Sequence, residues 1–159
     1  MAEMTTCLWF DGTAREAAEF YCSVFPRSRV TFVDTSPVDT PGQKAGEVAL
    51  VEFELDGRPF IGLDGGPGVE YTNAMSLEIR CTDQSEIDHY WNGLLAGGGR
   101  ALQCGWLIDR YGVRWQVVPV FLYDVWRSGD GEAARRAFAT MMDMVKLDLE
   151  PLEAAARAG

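Results

Sequence analysis

Residues Gln103 to Pro119 read as two apolar strands joined by a tight turn at Asp109 to Gly112, and the same arrangement occurs earlier in the chain. There, Val48 to Leu55 and Arg58 to Leu63 flank Asp56-Gly57, a dipeptide suited to the positive φ angles of a two-residue hairpin. A strand pattern that occurs twice predicts a duplicated module, and this limits the folds open to the chain.

The elements around each hairpin repeat as well. Thr5 to Phe10 is a short apolar run that predicts a first strand. Thr13 and Glu16 have the spacing of a capping box, and behind them Ala14, Ala17, Ala18, Tyr21 and Val24-Phe25 recur at helical spacing until Pro26. Arg29 to Thr35 is a β-branched second strand, and Ser36 to Gly46 is a polar loop long enough to cover a cavity. The hairpin supplies strands three and four, with Pro59 predicting that the fourth starts at a sheet edge. After the Gly-rich stretch Asp64 to Tyr71 the order restarts. A strand over Ala74 to Cys81 precedes a helix capped by Thr82 or Asp83, with Ile87, Tyr90, Trp91, Leu94 and Leu95 on its apolar face. Gly97-Gly98-Gly99 ends that helix, and strands follow near 100–104, 106–109 and 113–119. Each half is thus β-α-β-β-β: residues 4–66 form the first module and 73–119 the second. Residues 120–159 form a helical extension, in which Phe121 to Trp126, the face from Ala134 to Val145, and Glu150 to Arg157 capped by Asp148 predict three helical segments.

The formal net charge of −10 makes a phosphate backbone or an anionic membrane an unfavourable partner. No apolar run approaches the roughly 20 residues that span a bilayer, and no secretion signal is evident, so a cytoplasmic location is expected. Cys7, Cys22, Cys81 and Cys104 lack metal-knuckle or C-x-x-C spacing and are expected as reduced thiols. Cys104 reads as a packing residue or as a site wall beside Trp106. The lone histidine, His89, falls on the polar side of the second helix and is expected to be solvated.

Leu8-Trp9-Phe10-Asp11-Gly12, Phe20-Tyr21, Phe53-Glu54-Leu55-Asp56-Gly57, Leu63-Asp64-Gly65-Gly66-Pro67 and Cys104-Gly105-Trp106-Leu107 through Trp115-Gln116-Val117-Val118-Pro119 resemble the PhnB-like family. Lys146-Leu147-Asp148-Leu149 and the helix after it look similar too. That family belongs to the vicinal-oxygen-chelate superfamily, with glyoxalase I, extradiol dioxygenases and bleomycin-resistance proteins. It also carries a domain label of 3-demethylubiquinone-9 3-methyltransferase. The resemblance implies an α+β fold, two βαβββ modules forming curled sheets around an open cleft, plus the C-terminal helices. It also implies a homodimer.

Metal-bearing members place four His or Glu ligands on inward strand positions. Carried onto this sequence, those positions fall on Thr6, Gly62, Ser76 and Gln116, a set that does not suit a divalent ion. No metal and no cofactor are therefore expected. The cleft candidates are Thr6, Leu8, Gly62, Ser76, Glu78, Cys104, Trp106 and Gln116. Aromatic and polar groups in that mixture suit a small, partly apolar ligand. The leading expectation is a metal-free binding protein. The alternatives are a superfamily enzyme (a lyase, a dioxygenase or, by label only, a methyltransferase) using Glu78 or a cysteine, and a structural dimer with an unused cleft. Methyl transfer has no sequence support here, since no G-x-G-x-x-G run opens a helix.

Overall fold

The computed structural model describes residues 2 and 4–158, which divide into two compact units, Met1–Glu70 and Tyr71–Gly159. In the first unit β1 (Thr6–Phe10), α1 (Ala14–Val24), β2 (Arg29–Thr35), β3 (Val48–Leu55) and β4 (Arg58–Asp64) build a sheet of order β1-β4-β3-β2. The second unit contains β5 (Leu77–Cys81), α2 (Gln84–Leu95), β6 (Arg100–Ala101), β7 (Trp106–Ile108) and β8 (Arg114–Pro119), in the order β5-β8-β7-β6. In both sheets the first strand runs parallel to the last, and the remaining pairs are antiparallel. Three helices follow in the second unit: α3 (Val120–Arg127), α4 (Gly131–Met142) and α5 (Leu149–Arg157). Among the described residues, no helix is long and apolar enough to cross a membrane.

The predicted hairpin forms, with Asp56 and Gly57 both at positive φ and Leu55 paired with Arg58. Pro59 does not mark an edge, because β4 lies between β1 and β3. It pairs with Glu54, next to the closing pair, where an antiparallel partner needs no N–H from it. Pairing with β1 begins only at Phe60, so the missing donor costs no ladder bond on that side either.

The predicted capping box on α1 is replaced by a long-range cap. Thr13 is the N-cap residue but its hydroxyl makes no capping bond, its backbone sitting at φ −123°, ψ 10° rather than in the extended region. Instead Asp64, at the end of β4 and 3% exposed, accepts from the Ala14 amide at 2.9 Å. On α2 the side chain of Asp83 accepts from the Glu86 amide, and Glu86 reaches back to the Thr82 amide, which completes a reciprocal cap.

The second unit's hairpin is organised by Asp109, also 3% exposed. One carboxylate oxygen accepts from the amides of Tyr111 and Val113, and the other accepts from the Trp115 indole at 2.8 Å. The strand expected over 100–104 is shorter, ending at Ala101. Cys104 and Gly105 both take positive φ and form a turn, and their amides bond the carbonyls of Met144 and Val145. A Cβ on Gly105 would fall 2.7 Å from the Val117 carbonyl, which explains the glycine there. The first strand of this unit starts at Leu77 rather than Ala74, and α4 ends at Met142, leaving Val145 in the connection to α5.

The C-terminal helices bury Val118, Leu122, Val125, Ala137, Leu147 and Leu152 in a second core. Gln84 of α2 ties the connection down, donating to the Leu147 carbonyl and accepting from the Leu149 amide.

Burial raises the Asp64 carboxyl above its ordinary value, while amides at the start of α1 pull it back down. Its contribution to stability is therefore greatest below its unfolded value of 3.8 and is lost as pH rises through the folded value. Asp64→Ala should cost about 1–2 kcal/mol in urea unfolding through loss of the cap. Asp64→Asn should cost less and remove this slope from the pH–stability profile, and equal losses for the two variants would refute the capping role.

Candidate functional site

A strand shows successive side chains to opposite faces, so the side of the sheet covered by the helix determines what each position can do. In the first unit α1 covers the face bearing Leu8, Phe10, Val51, Phe53 and Phe60, all buried. Gly62 is on this face too: a Cβ there would meet Ala14 Cβ at 3.3 Å and Phe10 Cε2 at 3.4 Å. Thr6, Leu8 and Gly62, expected to face a ligand, thus lie on the side packed by α1. The open side of these strands carries Cys7 and Trp9 on β1, paired with Ile61 and Leu63 on β4. In this half the positions expected from sequence alternate with those of the open face, and a shift of one residue reverses the face.

In the second half the assignment falls on the open side. Leu107, Trp115 and Val117 are buried beneath α2, whose own Ile87, Trp91 and Leu94 are buried. Between them Trp106, Gln116 and Glu78 line up as cross-strand partners on the other face. Gln116 Nε2 donates to Ser76 Oγ at 2.8 Å, so two of the candidates are in direct contact. Cys104 lies in the turn before β7 and packs against the C-terminal core, with its sulfur 3.6 Å from Met142 Sδ. This places it with the extension instead of with the Ser76–Gln116 pair. His89 is exposed on α2, as expected.

Glu78 is engaged at both oxygens. Arg80 Nε donates to one at 2.7 Å and the Tyr123 hydroxyl donates to the other at 2.6 Å. The Arg80 guanidinium also lies over the Tyr123 ring, 4.2 Å from its centroid. Tyr123 belongs to α3, so its meeting with Glu78 was not visible in the sequence. Burial, then the hydrogen bond to Glu78, raises the Tyr123 phenol above its ordinary value, and this favours the neutral donor.

The open face of the first unit is shaped by Trp9. Its indole donates to the Gly66 carbonyl at 2.8 Å and lies flat on Gly65, where any Cβ would come within 2.1 Å of the ring. Gly42, from the loop after β2, sits on Gly65 and Gly66, where a Cβ would come 2.9 Å from the Gly65 carbonyl, so this loop crosses the same turn.

These side chains do not fit the divalent metal centre of the superfamily's metalloenzymes. The open positions hold Cys7, Ile61, Ser76, Gln116 and a Glu78 already committed to Arg80 and Tyr123, with no imidazole. Among the described residues no three His, Cys, Asp or Glu side chains cluster. Three of the thiols, Cys7, Cys22 and Cys81, are poorly suited to nucleophilic work. Burial pushes Cys81 up to about 12 and also raises Cys7 and Cys22.

Two βαβββ units with unclosed sheets define the vicinal-oxygen-chelate architecture, and comparison with known proteins agrees. A family profile described as 3-demethylubiquinone-9 3-methyltransferase matches residues 2–118. A PhnB protein from Bacillus cereus is 32% identical, with a TM-score of 0.65 over 74% of this chain and 99% of its own. The chain belongs to this PhnB-like family. Protein PA1353 from Pseudomonas aeruginosa (18% identity, TM-score 0.57, 75% of this chain and 98% of its own) shares the fold. So does the fosfomycin resistance protein FosX from Listeria monocytogenes (12%, 0.51, 75% and 93%). No curated protein matches. The family match stops at Val118, short of the tail around Lys146 to Leu149 that also carried the resemblance. Tyr123 lies outside the matched region.

Two outcomes test this geometry. Phenolate absorbance, taken as wild type minus Tyr123→Phe, should show Tyr123 ionising above the ordinary value of 10, and Glu78→Gln should bring it down. No movement in Glu78→Gln would show that the contact is absent in solution. Gly65→Ala should displace the Trp9 ring, shift its fluorescence and cost about 1–3 kcal/mol in chemical unfolding; an unchanged spectrum would contradict the close packing.

Proposed function

We propose that this PhnB-like protein binds a small, partly apolar molecule on the open face of its second sheet without a metal ion. The observation that carries this is the row Trp106–Gln116–Glu78 with Ser76 at hydrogen-bond distance from Gln116. An indole wall beside amide and hydroxyl groups offers apolar contact and a few directional bonds, the mixture that small-ligand sites use. Ser76, Glu78, Trp106 and Gln116 are the contact residues of this reading, with Glu78 as a fixed acceptor held by Arg80 and Tyr123. Thr6, Leu8, Gly62 and Cys104 fall out of it because their positions pack against α1 or the C-terminal core.

Enzymatic alternatives have less behind them. Glu78 has one oxygen engaged by a guanidinium and the other by a phenol, so a general-base role would compete with the contacts that hold it in place. For methyl transfer, only Gly12 stands as a glycine between β1 and α1, so no phosphate-type glycine loop opens that helix. Homodimerisation, implied by the family resemblance, belongs to the same proposal, and sedimentation at micromolar concentration should give twice the chain mass.

Native mass spectrometry of protein purified without chelator or added metal tests the reading. An organic adduct displaced in Trp106→Ala, with no stoichiometric divalent ion, is the expected result. One divalent ion per chain would overturn it, and turnover of the recovered adduct would replace binding with catalysis.

A further inference from the structure

The distribution of positive charge on the second sheet says more about that ligand. The chain carries 14 basic residues against 24 acidic ones, and eight of the basic side chains sit in ion pairs with carboxylates. Arg100 and Arg114 have no such pair among the described residues, and these two occupy one cross-strand row. Arg100 pairs with Ile108, and Ile108 pairs with Arg114, so all three side chains share the face that bears Trp106 and Gln116 in the next row.

Arg114 has only neutral partners among the described residues, the Asn73 side-chain oxygen at 3.2 Å and the Gly112 carbonyl. These contacts hold the guanidinium in place without cancelling its charge. The Arg100 side chain is exposed and has no hydrogen bond or ion pair among the described residues. Two strand spacings separate the backbones of these residues, about 10 Å, which two arginine side chains can span to meet one anion. The acidic group on this face, Glu78, is already matched by Arg80. The face therefore presents two uncompensated guanidinium groups beside an apolar Trp106–Ile108 wall.

We propose that the ligand of this face carries a carboxylate, held by Arg114 and Arg100 with the Ser76 hydroxyl as a further donor, while its apolar part lies on Trp106 and Ile108. The planar fork of arginine matches a carboxylate with two parallel bonds. Ser76 Oγ accepts from Gln116, which leaves its own proton free to donate. This rests on the ligand-binding reading above and narrows it to an aromatic or aliphatic monocarboxylate.

Benzoate and benzamide, equal in shape and different in charge, separate the two levels of the proposal. Each is titrated into the full chain, followed by tryptophan fluorescence and by amide NMR at Trp106, Ile108 and Gln116. Benzoate should bind about tenfold tighter than benzamide, and added salt should erode the difference. Arg114→Gln should abolish the preference, while Arg114→Lys should keep part of it. Arg100→Gln should weaken it without touching the Asn73 contact, which covers the case of an Arg114 variant that fails to fold. Arg58→Gln, on β4 of the first unit, should have no effect. Equal affinities for the two probes, or a preference that survives both glutamine variants, would overturn the carboxylate assignment while leaving the binding face intact. No perturbation at Trp106 and Gln116 by either probe would overturn the binding face itself.

Discussion

Each sheet depends on the parallel pairing of its first strand with its last. β1 lies against β4 and β5 against β8, and this brings the hairpin partners β3 and β7 next to the centre and sends β2 and β6 to the edge. Once that pairing is set, one face of each sheet must take the helix, because α1 and α2 each carry one continuous buried stripe. The other face is left uncovered by that helix. Positions on the two strands are then locked together, so Glu78 must stand beside Gln116 and Leu8 beside Gly62.

The two buried carboxylates mark where the pairing is anchored. Asp64 ends β4 on the first turn of α1, tying the last strand to the helix that follows the first. Asp109 holds the β7–β8 turn and the Trp115 indole together, with its acceptors satisfied by two amides and a ring N–H. Both are costly charges to bury, and both have directional partners that offset part of the cost. The C-terminal helices then add α3 to the second unit, whose Tyr123 fixes Glu78 and whose Leu122 and Val125 cover Val118. The resulting face is divided: α3 packs over Val118 and Tyr123 lies against Arg80 at one end, while the row from Arg100 to Arg114 has no ion-pair partner among the described residues.

Much of the fold is legible in the sequence. The repeated strand–helix–strand order, the Asp56-Gly57 hairpin, the Asp83 and Asp148 caps and the helical character after Pro119 all follow from local signals of period and turn chemistry. The site was legible in half. Ser76, Glu78, Trp106 and Gln116 fall on the open face, and of these Gln116 is counted from the turn at Asp109 to Gly112, a close anchor. Thr6 is placed by its distance to Phe20-Tyr21 on the following helix and Gly62 as the residue before Leu63, and neither local count says which face of the strand the helix will cover. Cys104 looked like a site wall because it precedes Trp106, but positive φ at Cys104 and Gly105 turns the chain toward Met144 and Val145.

The sequence by itself determined the α+β class, the duplicated βαβββ order and the absence of a histidine–carboxylate ligand set on the strands, because periodicity, turn residues and composition are local properties. Only the tertiary structure decided which face of each strand is open, which acid caps α1 and which group completes Glu78. Those depend on pairs such as Asp64 with Ala14 and Tyr123 with Glu78, 50 and 45 residues apart. A contact between distant segments is set by packing the helix faces onto the sheets, and no local pattern encodes it.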